Sequence, residues 1–62
     1  MQIELYDKVQ IKNNSLYGNN IYTVESRVYD REGNVMFELI DDNEELLEEE
    51  FYPEELTKWS TN

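Results

Sequence analysis

Asp41-Asp42-Asn43-Glu44-Glu45-Leu46-Leu47-Glu48-Glu49-Glu50-Phe51-Tyr52-Pro53-Glu54-Glu55 is the stretch on which the reading of this 62-residue chain turns. It holds nine of the fifteen acidic residues and no Lys or Arg, while the rest of the chain sets six acids against five bases. Almost all of the net charge of −10 is therefore confined to a quarter of the chain. Leu46, Leu47, Phe51 and Tyr52 run through it, more large apolar side chains than a solvated acidic tail carries, so the stretch is expected to fold. Glu and Leu favour helix, and Leu47 and Phe51 would share a helical face at i, i+4. The same helix would set Glu44 against Glu48, Glu45 against Glu49 and Glu50 against Glu54, with no Lys to relieve the repulsion. A strand over residues 44–50 is the preferred reading and a helix the alternative. Tyr52, preceding a proline, is biased to extended backbone, and Pro53 suits the first position of a short helical turn over residues 53–56.

Upstream, residues 35–41 read as a strand with Val35, Phe37 and Leu39 inward, followed by a turn over residues 41–45. Arg31-Glu32-Gly33-Asn34 reads as a hairpin connection with Gly33 at a positive φ. Its partner is the long strand 21–30, which places Tyr22, Val24, Ser26 and Val28 on one face unless a midway bulge exchanges the faces. Residues 13–20, with four Asn, one Ser and Gly18, form a loop with Leu16 or Tyr17 folded back over the core. Residues 7–12 alternate as a half-buried strand, Val9 and Ile11 inward and Lys8, Gln10 and Lys12 toward water. Residues 1–6 read as an arm or an edge strand, and residues 57–60 as a last short strand. The absence of Ala and the abundance of Val, Ile, Thr and aromatic residues fit this all-β reading.

A chain of this length makes one domain, residues 1–62, with a small core. No Cys or His is present, which removes disulfides, the usual zinc sites and Cys-His or Ser-His catalysis. No apolar run approaches the roughly 20 residues that span a bilayer, and the N-terminus lacks the order of a signal peptide, so a cytoplasmic protein with no membrane contact is expected. A pI near 4.1 opposes direct nucleic-acid binding, which needs clustered Lys and Arg.

The succession of strand, long loop, hairpin, acidic strand, helical turn and short strand resembles the small SH3-like barrels, of KOW and Tudor type, of bacteria, phages and prophages. The residues that carry the likeness are Leu16-Tyr17-Gly18-Asn19 running into Tyr22-Thr23-Val24-Glu25, and Phe37 to Asp42 followed by Phe51, Pro53, Glu54, Glu55 and Leu56. The resemblance implies a five-stranded SH3-like barrel. Ile21 and Tyr22 stand where KOW modules usually carry a second Gly, and the basic residues of those modules are missing, so RNA contact is not expected. Leu5-Tyr6-Asp7 is similar to the opening motif of eukaryotic SH3 domains, but their paired tryptophans are absent, and proline-rich ligands are not expected.

Asp41, Asn43 and Glu45 match the first ligand spacings of an EF-hand, yet Leu46 stands where its turn needs Gly and Tyr52 where a bidentate Glu belongs. No metal or cofactor is expected. Paired carboxylates of a glycosidase need a desolvating cleft that so small a barrel does not offer, so no enzyme activity is expected. Phe37 and Phe51 read as core. Tyr6, Tyr17, Tyr29, Tyr52 and Trp59 exceed what the core can hold, and surface aromatics are favoured at interfaces. The expected function is a non-catalytic interaction module that meets a protein with a basic surface. The contact would use Asp41, Asp42, Glu44, Glu45, Glu48 and Glu50, with Tyr17, Tyr29, Tyr52 and Trp59. The alternative is a nucleic-acid mimic that inhibits a DNA- or RNA-handling enzyme, its carboxylates spaced along a strand, and a third reading is that the charge only maintains solubility.

Overall fold

The computed structural model describes residues 2–12 and 15–59. Four antiparallel strands, β1 (Lys8–Ile11), β2 (Tyr22–Tyr29), β3 (Val35–Ile40) and β4 (Leu56–Lys58), form one open sheet in the order β3-β2-β1-β4. A 3-10 turn at Pro53–Glu55 leads into β4. The alternation expected of β1, β2 and β3 places Val9, Ile11, Tyr22, Val24, Phe37 and Leu39 inside, where Phe51 and Ile3 join them together with Leu56, which opens β4 instead of closing the helical turn. Of the residues assigned to loops and termini, Met1, Asn13, Asn14 and Ser60 lie outside those described.

In β2 the register shifts between Val24 and Ser26, so that Val24 faces Leu39 but Arg27 faces Phe37. The bulge exchanges the faces. Beyond it Arg27 and Tyr29 share the face of their partners Phe37 and Val35 yet remain exposed, while Ser26 and Val28, opposite Glu38 and Met36, lie half-buried on the other face. Residues 2–6 are an arm rather than an edge strand. The arm seats Ile3 in the core and is tied to β2 by the Tyr6 amide donating to the Val24 carbonyl at 2.8 Å. Asp7 closes it, accepting the Glu4 amide at 2.9 Å and pairing with Lys58 at 3.3 Å; the Glu4 amide, with help from Lys58, holds its carboxyl below the usual range.

The acidic segment corrects the expectation of a fifth regular strand. Residues 44–50 are neither strand nor helix, and meet β3 at isolated bridges only, Leu46 with Ile40 and Phe51 with Phe37. From Leu46 to Phe51 the segment advances five residues while β3 advances three from Ile40 to Phe37. The side-chain period explains the misfit. A continuous strand that points Leu47 and Phe51 inward points Glu49 inward between them, and an unpaired carboxylate in that position carries a heavy desolvation cost. The run Glu48-Glu49-Glu50 swings out instead, so all three stay exposed while Phe51 returns to the core.

Two turns on either side of β3 share one hydrogen-bond plan. Asp30 Oδ1 accepts from the amides of Glu32 and Asn34, and the Asp30 amide donates to the Asn34 carbonyl. Asp41 repeats this with Asn43 and Glu45. The fourth residue of each takes positive φ, Gly33 at 85° and Glu44 at 62°. Glycine adopts this conformation freely, whereas an L-residue with a Cβ is disfavoured there by about 1–2 kcal/mol. Glu44→Gly is therefore expected to raise the melting temperature by a few degrees, after glycine's greater unfolded-state entropy takes back part of the gain. A melt at or below the wild type would show that the Glu44 side chain compensates for its backbone.

No helix among the described residues is long and apolar enough to cross a membrane.

Candidate functional site

At the level where β1 and β2 begin and β3 and β4 end, with β1 and β4 running away from it to one side and β2 and β3 to the other, a groove of about 950 Å³ opens between the loop before β2 and the acidic segment. Leu16, Tyr17 and Ile21 form one wall, Asp41, Asp42, Asn43, Leu46 and Glu48 the other, and Lys8 and Trp59 close one end. Each wall has a local cause. Within the Asn-rich loop the Asn20 amide donates to the Tyr17 carbonyl at 3.4 Å, and Gln10 Nε2 donates to the Asn19 carbonyl at 2.8 Å. The opposite wall hangs on the Asp41 turn and on Leu47, whose amide donates to the Leu39 carbonyl at 2.9 Å.

Tyr17 joins the two walls. Its ring meets Tyr22 and Phe51 edge-on, at centroid distances of 6.0 and 5.6 Å, and its hydroxyl donates to Glu49 Oε2 at 2.8 Å. Tyr17, not Leu16, is the loop residue that folds back on the core; Leu16 stays 77% exposed. The bond to the Glu49 carboxylate, reinforced by desolvation, pushes the Tyr17 phenol up to about 12. Because the folded phenol keeps its proton to higher pH than the unfolded one, its contribution to stability is complete below about pH 10. It is lost as the pH rises toward 12. The Tyr52 phenol is also raised, by its bond to Asp30. Absorbance titration is expected to show the Tyr17 and Tyr52 phenols ionising late, and Tyr17→Phe to remove one of these two. A titration of the variant that keeps both late phenols would exclude the bond to Glu49.

Five large apolar side chains are exposed among the described residues, Tyr6, Leu16, Tyr29, Leu46 and Trp59, and three of them line this groove. Asp41 spends its Oδ1 on the turn, whereas no hydrogen bond or ion pair engages the Asp42 or Glu48 carboxylate among the described residues. Lys8 is the cation on the lining, its ammonium donating to Thr23 Oγ1 at 2.7 Å. No group of His, Cys, Asp or Glu among the described residues is placed to hold a metal ion.

The residues singled out in the sequence divide. Asp41, Asp42, Glu48, Tyr17 and Trp59 converge on the groove. Glu44, Glu45 and Glu50 are exposed but stand off its lining. Tyr52 serves the hairpin, its hydroxyl donating to Asp30 Oδ2 at 2.8 Å, and Tyr29 lines a separate cleft with Ile3, Leu5, Arg27 and Val35. Sequence reasoning passed over Lys8, Ile21, Asn43 and Leu46 as site residues. The available signal was Leu16, an apolar residue in an Asn-rich loop with no strand to bury it.

No family model, curated protein or solved structure matches this chain.

Proposed function

We propose that this chain is a small, acidic, non-catalytic interaction module, an adaptor or accessory protein, that binds a partner protein with a basic surface. The observation that carries the reading is the convergence on one groove of three of the five large apolar side chains exposed among the described residues and of Asp42 and Glu48, whose carboxylates no described residue engages. Apolar contact supplies affinity and the acidic rim selects the sign of the partner. The architecture proposed with it is a small SH3-like barrel in which the irregular segment 46–51 occupies the place of the fifth strand, beside β3. The order of the elements, with the 3-10 turn leading into the strand that pairs with β1, supports that reading. The setting proposed is cytoplasmic.

The mimic reading has less support. It relied on strand residues about 7 Å apart presenting a row of carboxylates, and residues 48–50 leave the ladder. The experiment is capture of basic proteins on the immobilised chain across a salt gradient, compared with the Asp42→Asn/Glu48→Gln variant. Equal retention by both would remove the groove from the interface, and retention of a nucleic-acid enzyme by both up to high salt would favour mimicry.

A further inference from the structure

We infer that the groove takes one extended segment of the partner, five or six residues long, with an apolar side chain at the Trp59 end and Lys or Arg at the end flanked by Asp42 and Glu48. This rests on the interaction reading above and adds the form and polarity of what is bound.

The length follows from the register. The Trp59 amide donates to the Lys8 carbonyl at 2.8 Å, Lys8 stands opposite Thr23, Thr23 opposite Ile40, and Ile40 bridges Leu46. These five residues form one row across the sheet. Four strand spacings of 4.7–4.9 Å make it about 19 Å from Trp59 to Leu46, the reach of five or six extended residues at about 3.3 Å each. Trp59 and Leu46, the two ends of the row, both line the groove, although Thr23 and Ile40 from its middle do not.

The polarity follows from the charges. Lys8 is beside Trp59 in the row, whereas Asp41 and Asp42 follow Ile40 and Glu48 lies two residues past Leu46. Two strand spacings, about 10 Å, separate Lys8 from Ile40. That is about one screening length at physiological salt, so the two ends present distinct potentials. A Lys or Arg is repelled at the Trp59 end and attracted at the other. Trp59, 37% exposed, and Ile21 offer the apolar seat at the Lys8 end, and Leu46, 54% exposed, receives the aliphatic stem of the basic side chain.

The test is an amide chemical-shift titration of the whole chain with capped hexapeptides: Leu-Ser-Ser-Ser-Lys-Lys, its reversed sequence, and both with Glu in place of Lys or Ser in place of Leu. One of the two Lys peptides is expected to shift the amides of Lys8, Ile21, Asn43, Leu46 and Trp59. Its binding should be about tenfold tighter than that of its Glu counterpart, a difference of about 1.4 kcal/mol, and should weaken when Leu becomes Ser. In Asp42→Asn/Glu48→Gln, whose two sites are exposed, the Lys-over-Glu preference should largely disappear. Saturable binding that shifts Glu44, Glu45 and Glu50 and leaves the groove amides in place overturns this inference while sparing the proposed function. So does capture of a basic protein by a chain to which no Lys peptide binds. If neither peptide nor basic protein binds, both fall.

Discussion

Phe51→Ala is expected to leave little folded protein at ambient temperature. The side chain is 1% exposed, packs edge-on against Tyr17, and exchanges both backbone hydrogen bonds with Phe37, at 2.7 and 2.9 Å. Truncating a buried Phe costs about 3–5 kcal/mol. A chain of 62 residues has only about 3–9 kcal/mol in total, at about 0.05–0.15 kcal/mol per residue. No disulfide is present to limit the loss. Each kcal/mol moves the melting temperature of so small a domain by about 4–8 °C, so a fall of well over ten degrees, or no transition at all, is the expected melt. The milder Phe51→Leu, which keeps most of the volume, should cost less than about 1.5 kcal/mol and remain folded. A melt of the Ala variant within a few degrees of wild type would mean that Phe51 is not core and that the return of the chain after residues 48–50 is misplaced.

The second large effect is a change of opposite sign in stability and binding. Nine carboxylates within fifteen residues repel one another in the folded state, and no Lys or Arg in the segment relieves them. Removing two of these charges by Asp42→Asn/Glu48→Gln should leave the free protein as stable as before or more so, the gain being larger at low salt. Capture of a basic partner should weaken. Two rim charges, each worth about 0.2–1 kcal/mol when exposed, together account for a loss of up to about thirtyfold. The variant's capture should also depend less on salt. Paired melts and capture at two ionic strengths measure both. Charge kept only for solubility predicts the same gain in stability with capture untouched, and that result returns Asp42 and Glu48 to ordinary solvated carboxylates.

Three of these strands were legible because each carries a signal complete within itself. Val9 and Ile11, Tyr22 and Val24, and Phe37 and Leu39 alternate with polar residues, and all six are buried. Gly33 announced its turn through the one residue type that takes positive φ without strain. Pro53 likewise opened the 3-10 turn, whose first backbone group is satisfied by Glu55: the Tyr52 amide donates to Glu55 Oε2 at 3.0 Å. Glu44 and Tyr6 also take positive φ, at 62° and 70°, and neither was legible, because their own residue types argue against it. Glu44 is held there by the Asp41 side chain. Tyr6 is held by a turn closed from both ends by Asp7.

The acidic segment shows where local reasoning stops. Repulsion between Glu44 and Glu48, and between Glu45 and Glu49, was sufficient to argue against a helix, because those pairs would be neighbours on the helix surface and the segment carries no Lys or Arg to relieve them. What replaced the helix depended on residues far away. A strand was affordable only if Glu49 could face the interior, and the interior at that point is filled by Phe37, Leu39 and Phe51. Tyr17, 32 residues away, then gave the displaced Glu49 a partner at 2.8 Å. In the same way the sequence by itself determined that the charge is local, that the chain is β-rich and that Phe37, Leu39, Phe51 and Leu56 are core, since burial follows from pattern. Which carboxylates and aromatics meet in one groove was decided only by the tertiary structure. Asp42, Glu48, Leu16 and Trp59 come together because the strand order β3-β2-β1-β4 gathers strand ends from distant parts of the chain, a long-range register that no local window of sequence contains.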